Sequence, residues 1–183
     1  MNNNLERLTR RKCKAQLSQK RQKYLDKKVV VDLGECIRDA KERLGYKTVI
    51  LAGWSGGGSM TLNLMFQYPE IYKTGMAVAA VSNQLIYDNI YQERFMGLPQ
   101  ENLEDFVAGS PITHAKNLQG NLLYIHGTGD DNVHYANAEM LINELIKHGK
   151  LFQFMPYPNR SHGIGEGEGT SAHLRMVYTN FLK

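Results

Sequence analysis

Gly53-Trp54-Ser55-Gly56-Gly57 follows directly on the apolar run Thr48-Val49-Ile50-Leu51-Ala52. A serine between small residues, where a strand turns straight into a helix, is a nucleophile elbow: the tight turn holds the hydroxyl out at its tip. A serine hydroxyl is a weak nucleophile until a base takes its proton, so a histidine and a carboxylate are needed beside it. His162, in the glycine-rich stretch from Asn159 to Gly169, supplies the base. Asp130 or its neighbour Asp131 supplies the carboxylate that would fix the imidazole tautomer. Gly56, first in the helix, would turn its backbone N–H toward the developing oxyanion. The chemistry these residues predict is acyl transfer through a covalent acyl-enzyme.

Strands must carry this set. Thr48–Ala52 leads into the elbow, Met76–Val81 is continuous in small and branched apolar residues, Asn121–His126 precedes the aspartates, and Leu151–Met155 precedes the histidine. A weaker run, Lys28–Val31, predicts a fifth strand. Asp32 and Glu35 after it read as a capping box for a helix with Leu33, Ile37, Ala40 and Leu44 at helical spacing, ended by Gly45. Further helices are predicted after the elbow, from about Tyr135 to His148 and from Thr170 to Leu182, and loops with short helices from Ser82 to Asn117. Strand–helix alternation with right-handed crossovers predicts an α/β fold, a three-layer α/β/α sandwich. Nucleophile, acid and base in that chain order are the arrangement of α/β-hydrolases. With a mostly parallel sheet of about five strands against the usual eight or so, the fold expected is a truncated or reduced α/β-hydrolase. If the 28–31 run does not pair, strand 48–52 has an open apolar edge, and a homo-oligomer formed through that edge is expected.

The 183 residues suffice for one buried core and fall short of two ordinary domains. Charge is uneven: residues 1–28 hold ten Lys or Arg against two acids, while the remainder is net acidic. Residues 1–27 are expected to form a basic N-terminal helical arm, and 28–183 the catalytic domain. The arm has no recognition motif or interleaved aromatics, so a solvated helix with Leu5, Leu8 and Leu17 inward is expected rather than a nucleic-acid partner. No run reaches the roughly 20 apolar residues of a membrane span, and no signal peptide is visible in the first residues. Two cysteines, Cys13 and Cys36, are too few for a disulfide framework. His134 lies near Asp130 and Asp131, but no metal and no cofactor are expected. Gly56-Gly57-Gly58 is not followed by the Gly-Lys-Ser/Thr of a phosphate loop.

Five blocks in order resemble the catalytic domain of the prolyl oligopeptidase family, and within it the dipeptidyl peptidase IV branch, bacterial members especially. They are the elbow itself, Tyr87-Asp88-Asn89-Ile90-Tyr91-Gln92-Glu93-Arg94, Met96-Gly97-Leu98-Pro99, His126 to His134, and Pro158-Asn159-Arg160-Ser161-His162-Gly163. The blocks leave out the family's β-propeller and the early strands of its hydrolase domain. The resemblance implies a serine peptidase cleaving short peptides after proline or alanine, with Ser55, Asp130 and His162 as the triad; it assigns the acid to the first aspartate of the pair. It further implies that Tyr87 and Tyr91 wall the pocket for proline, that Val81 and Val133 line it, and that Asn132 holds a substrate carbonyl. Gly56 stands where members commonly have tyrosine, and Gln84 and Ile86 where they often have tryptophan and tyrosine, so the pocket chemistry is altered. A small carboxylesterase or broad acyl hydrolase with the same triad is the alternative activity. An inactive hydrolase domain or association module is the alternative without one.

Overall fold

Four parallel strands and the helices between them form the frame that carries the site. The computed structural model describes residues 27–45 and 49–183, with 27–33 as backbone only. The arm expected over 1–27 therefore lies, except for its last residue, outside the described residues. The elements run α1 (Lys27–Leu44), β1 (Val49–Trp54), α2 (Gly56–Gln67), β2 (Tyr72–Val78), α3 (Asn89–Met96), α4 (Leu103–Gly109), α5 (Pro111–His114), β3 (Asn121–Gly127), α6 (Ala136–Lys147), β4 (Gln153–Tyr157) and α7 (Thr170–Phe181). The sheet order is β1-β2-β3-β4, every pair parallel.

Alternation along the strands decides which helices cover which face. Val49 and Leu51, Tyr72 and Ala77, Leu122 and Tyr124, and Phe154 pack with Leu62, Met65 and Phe66 of α2 and Leu141 and Leu145 of α6. The intervening Trp54, Met76, Val78, Leu123, Ile125 and Met155 pack on the other face with Leu174, Val177 and Phe181 of α7. These are the three layers expected of a reduced α/β-hydrolase fold. Continuous apolar strands buried on both sides are what a parallel sheet requires.

Among the described residues the sheet has four strands. The Val29-Val30-Val31 run is helical, inside α1, and Asp32 lies within the helix rather than capping it. β-Branched residues disfavour a helix by only a few tenths of a kcal/mol each. The helical repeat that follows extends backward through them, and each backbone bond closes locally without a strand partner. α1 docks on the elbow helix: Ile37 reaches the core, Arg38 pairs with Glu70 at 2.9 Å, and Gly34 lies so close to the Tyr68 ring that a Cβ would come within 2.5 Å. Gly45 ends α1 with φ 69°, as expected. β1 thus has a neighbour on one side only among the described residues, and Ile50 is half exposed.

β2 starts and stops earlier than its apolar run. Val78 gives its carbonyl to the N–H of Ser55, and Ala79 turns into the left-handed region at φ 46°, which sends Val81 away from the sheet. β4 begins two residues late, leaving Leu151 in solvent.

Candidate active site

Ser55 sits at φ 55°, ψ −121°, a conformation that non-glycine residues hold only when their surroundings enforce it, at about 1–3 kcal/mol. The enforcement is visible. Its N–H donates to Val78 O (2.8 Å), and its carbonyl accepts from Ser59 N (2.9 Å) and Ser59 Oγ (3.3 Å). A Cβ on Gly53 would lie 2.0 Å from the Gly57 carbonyl oxygen, and one on Gly58 would lie 2.8 Å from Val78 O. At Gly57 a Cβ meets open space. The tight approaches of this elbow therefore belong to Gly53 and Gly58, not to the motif's final glycine. Gly56 opens α2, so its N–H has no intrahelical carbonyl to pair with.

Asp130 follows β3 in a turn that buries its side chain completely. Oδ1 accepts from the amides of Asn132 (3.0 Å) and Val133 (2.8 Å), and Oδ2 accepts from His162 Nδ1–H at 2.9 Å. Asp131 is exposed, so the first aspartate of the pair is the one that meets the histidine. Burial alone pushes the Asp130 carboxyl up; His126, His162 and the two amides outweigh it and hold it below the ordinary carboxylate value. With Nδ1–H engaged, Nε2 is the nitrogen of His162 left to act as base.

One contact ties this pair to the elbow. Trp54 Nε1–H donates to the carbonyl of His162 (3.0 Å), fastening the histidine loop to the residue beside the serine. Ser55 and His162 themselves make no direct hydrogen bond, which is common before substrate tightens a site. The elbow, the acid turn and the histidine loop thus converge from three strand ends, the crevice where open parallel sheets bind ligands.

A cavity of about 100 Å³ opens at the elbow, lined by Ser55, Gly56 and Ser59 on one side and by Val81, Gln84, Tyr87 and Tyr91 on the other. Tyr87 and Tyr91 stand edge-to-face, 5.6 Å between ring centres. The Tyr87 hydroxyl donates to Asn132 Oδ1 at 2.9 Å, joining the cavity wall to the turn that carries the acid. Burial, then Tyr91, Asp88 and Asp130, raise the Tyr87 phenol, so it stays a neutral donor. Val81, Tyr87 and Tyr91, expected as pocket residues, are lining residues. Asn132 meets the wall only through Tyr87. Val133 is fully buried behind the acid turn and does not line the cavity.

Several contributors carried no sequence signal of their own. The buried amide of Gln92 hydrogen-bonds that of Gln84 in the cavity wall. Ser59 faces the cavity, and Trp54 acts at long range. His126, at the end of the predicted strand Asn121–His126, lies 3.3 Å from Asp130. His134 Nδ1 accepts from Ala136 N–H at 3.2 Å, and among the described residues no group of three or more His, Cys, Asp or Glu could hold a metal ion.

Comparison with known proteins places this geometry. A sequence profile of the prolyl oligopeptidase family matches residues 18–183. The chain belongs to the prolyl oligopeptidase family. It is similar to dipeptidyl peptidase 4 of Felis catus, 37% identical over 140 residues that make up 75% of this chain and 18% of that one. It is similar also to prolyl endopeptidase FAP of Mus musculus, 38% identical over 138 residues, 74% of this chain and 18% of the relative. The crystal structure of Porphyromonas gingivalis dipeptidyl peptidase 4 superposes with a TM-score of 0.71 at 37% identity, covering 73% of this chain and 19% of that one. The chain thus spans less than a fifth of the relatives it matches. The Asp130–His162 pair, its carboxylate buried, fits part of a catalytic triad. No helix among its described residues is long and apolar enough to cross a membrane.

Proposed function

We propose that the chain is a dipeptidyl peptidase IV-like serine peptidase that cleaves short peptides after proline or alanine. The observation that carries this reading is the buried Asp130 carboxylate accepting His162 Nδ1–H at 2.9 Å while Trp54 fastens that same histidine to the elbow. Ser55 Oγ attacks the substrate carbonyl and His162 Nε2 takes its proton, with the imidazolium stabilised by Asp130. The oxyanion accepts from Gly56 N–H. His162 returns the proton to the leaving amine, and water, deprotonated by His162, releases the acyl group from Ser55. Tyr87, Tyr91 and Val81 hold the compact apolar residue before the scissile bond, which about 100 Å³ suits. Asn132, whose Oδ1 accepts from Tyr87, holds a substrate carbonyl with its side-chain amide N–H, and Val133 supports the acid turn.

One observation favours an ester as substrate. Among the described residues the Tyr87 hydroxyl at the cavity is already committed to Asn132, which leaves the Gly56 amide as the oxyanion donor this reading uses. An amide needs more oxyanion help than an activated ester, and one such donor contributes about 3 kcal/mol to the transition state.

The test is reaction of the full chain with a fluorophosphonate probe, wild type against Ser55→Ala. Labelling is expected in the wild type and lost in the variant. Turnover of a prolyl anilide then separates the peptidase from the esterase, which would process a phenyl ester alone. A folded wild type that resists the probe would overturn the reading.

A further inference from the structure

His126 is the penultimate residue of β3, in register with Pro156 of β4, and no part of it reaches solvent. Its ring stands edge-on between Tyr124 and Tyr135, with centroid separations of 6.0 and 5.8 Å. A buried imidazole must place both nitrogens. Nε2 faces two oxygens, the Val133 carbonyl at 2.9 Å and Asp130 Oδ2 at 3.3 Å, so Nε2 carries a proton. Nδ1 lies 3.4 Å from the Tyr124 hydroxyl. Asp130, Tyr124 and Tyr135 are the titratable groups facing the ring among the described residues.

Asp130 is buried with no lysine or arginine beside it, so hydrogen-bond donors alone keep its charge. Oδ1 has two amides. Oδ2 has His162, whose side chain is about a quarter exposed and rides on a loop, and His126, which is fixed in a strand. The Val133 carbonyl that His126 binds belongs to the residue whose N–H holds Oδ1, so one ring secures both ends of the acid turn.

We propose that His126 is a positioning residue for the reaction: its Nε2–H holds the Asp130 carboxylate ionised and aimed at His162 Nδ1. The inference rests on the triad reading above. Filling space would not require a donor at Nε2.

The experiment compares wild type with His126→Gln, whose amide nitrogen reaches the Nε2 position, and His126→Asn, whose amide falls short of it. The readouts are the ¹⁵N tautomer of His126 in the wild type, the ¹³C titration of the Asp130 carboxyl, and the fluorophosphonate rate at Ser55 with kcat and KM. We expect the Nε2–H form, near wild-type behaviour for His126→Gln, and for His126→Asn a kcat loss of about 10- to 100-fold with KM little changed. The Asp130 titration should rise in His126→Asn alone. Equal loss in both variants, an unmoved Asp130 titration, or an Nδ1–H tautomer would overturn the proposal; the last needs no variant to fold. If Asp130 responds as expected while the wild type resists the probe, the peptidase reading falls and the role of His126 in holding Asp130 stands.

Discussion

At the scale of single residues, the acid is the most constrained group in the molecule. Asp130 is fully buried, accepts from two amides and His162, lies 3.3 Å from His126 Nε2, and is held below the ordinary carboxylate value. A carboxyl depressed on folding contributes stability that is fully present above its unfolded pKa of about 3.9 and is lost as pH falls through the folded value. Asp130→Asn should therefore lower the Tm at neutral pH, and the gap from wild type should close in acid below that range. A gap that stays constant across the melts would contradict the assignment. Around the serine the constraint is steric: Gly53 and Gly58 have backbone where a Cβ would go, and so permit the tight turn in which Ser55 is held at positive φ.

Among the elements, the loop between β4 and α7 has the most to hold, because it carries His162 without regular structure. The Glu166 carboxylate accepts from the amides of Ser161 (3.2 Å) and Gly165 (3.1 Å) and from the Ser161 hydroxyl. Those donors hold it below the ordinary glutamate value. Arg160 donates to the carbonyls of Pro158 (2.8 Å) and Glu166 (3.1 Å), and Ile164 is buried beneath. The two clamps bracket His162. Glu166→Ala should slow fluorophosphonate labelling about 3- to 10-fold and leave the Tm almost unmoved, since the carboxylate is exposed. A lower Tm at an unchanged labelling rate would assign the clamp to stability instead.

For the molecule as a whole, the decisive feature is what borders β1. The elbow strand pairs with β2 alone among the described residues, and Ile50 and Ala52 face outward from it. An edge of unpaired N–H and C=O groups carrying apolar side chains is a template for another strand. The isolated chain is accordingly expected to self-associate through β1, and Ile50→Lys to return it to monomer. Sedimentation showing a wild-type monomer at tens of micromolar would refute this.

Local signals were enough for the elbow, for four strands and for the helices after Ser55, because small residues at fixed offsets and apolar runs act within a few residues of themselves. The Val29–Val31 run misled for the same reason: its strand propensity is local and weak, and its helical continuation overrides it. Spacing alone left two adjacent acids open and only the family resemblance chose Asp130; the turn after β3 buries that one and exposes the other. His126 and Trp54 were equally opaque, since their partners lie 4 and 108 residues away and only the converging strand ends bring them within reach. The sequence by itself determined the kind of chemistry and the strands that carry it. The tertiary structure decided which side chains stand against which, because a hydrogen bond depends on distance in space and not along the chain.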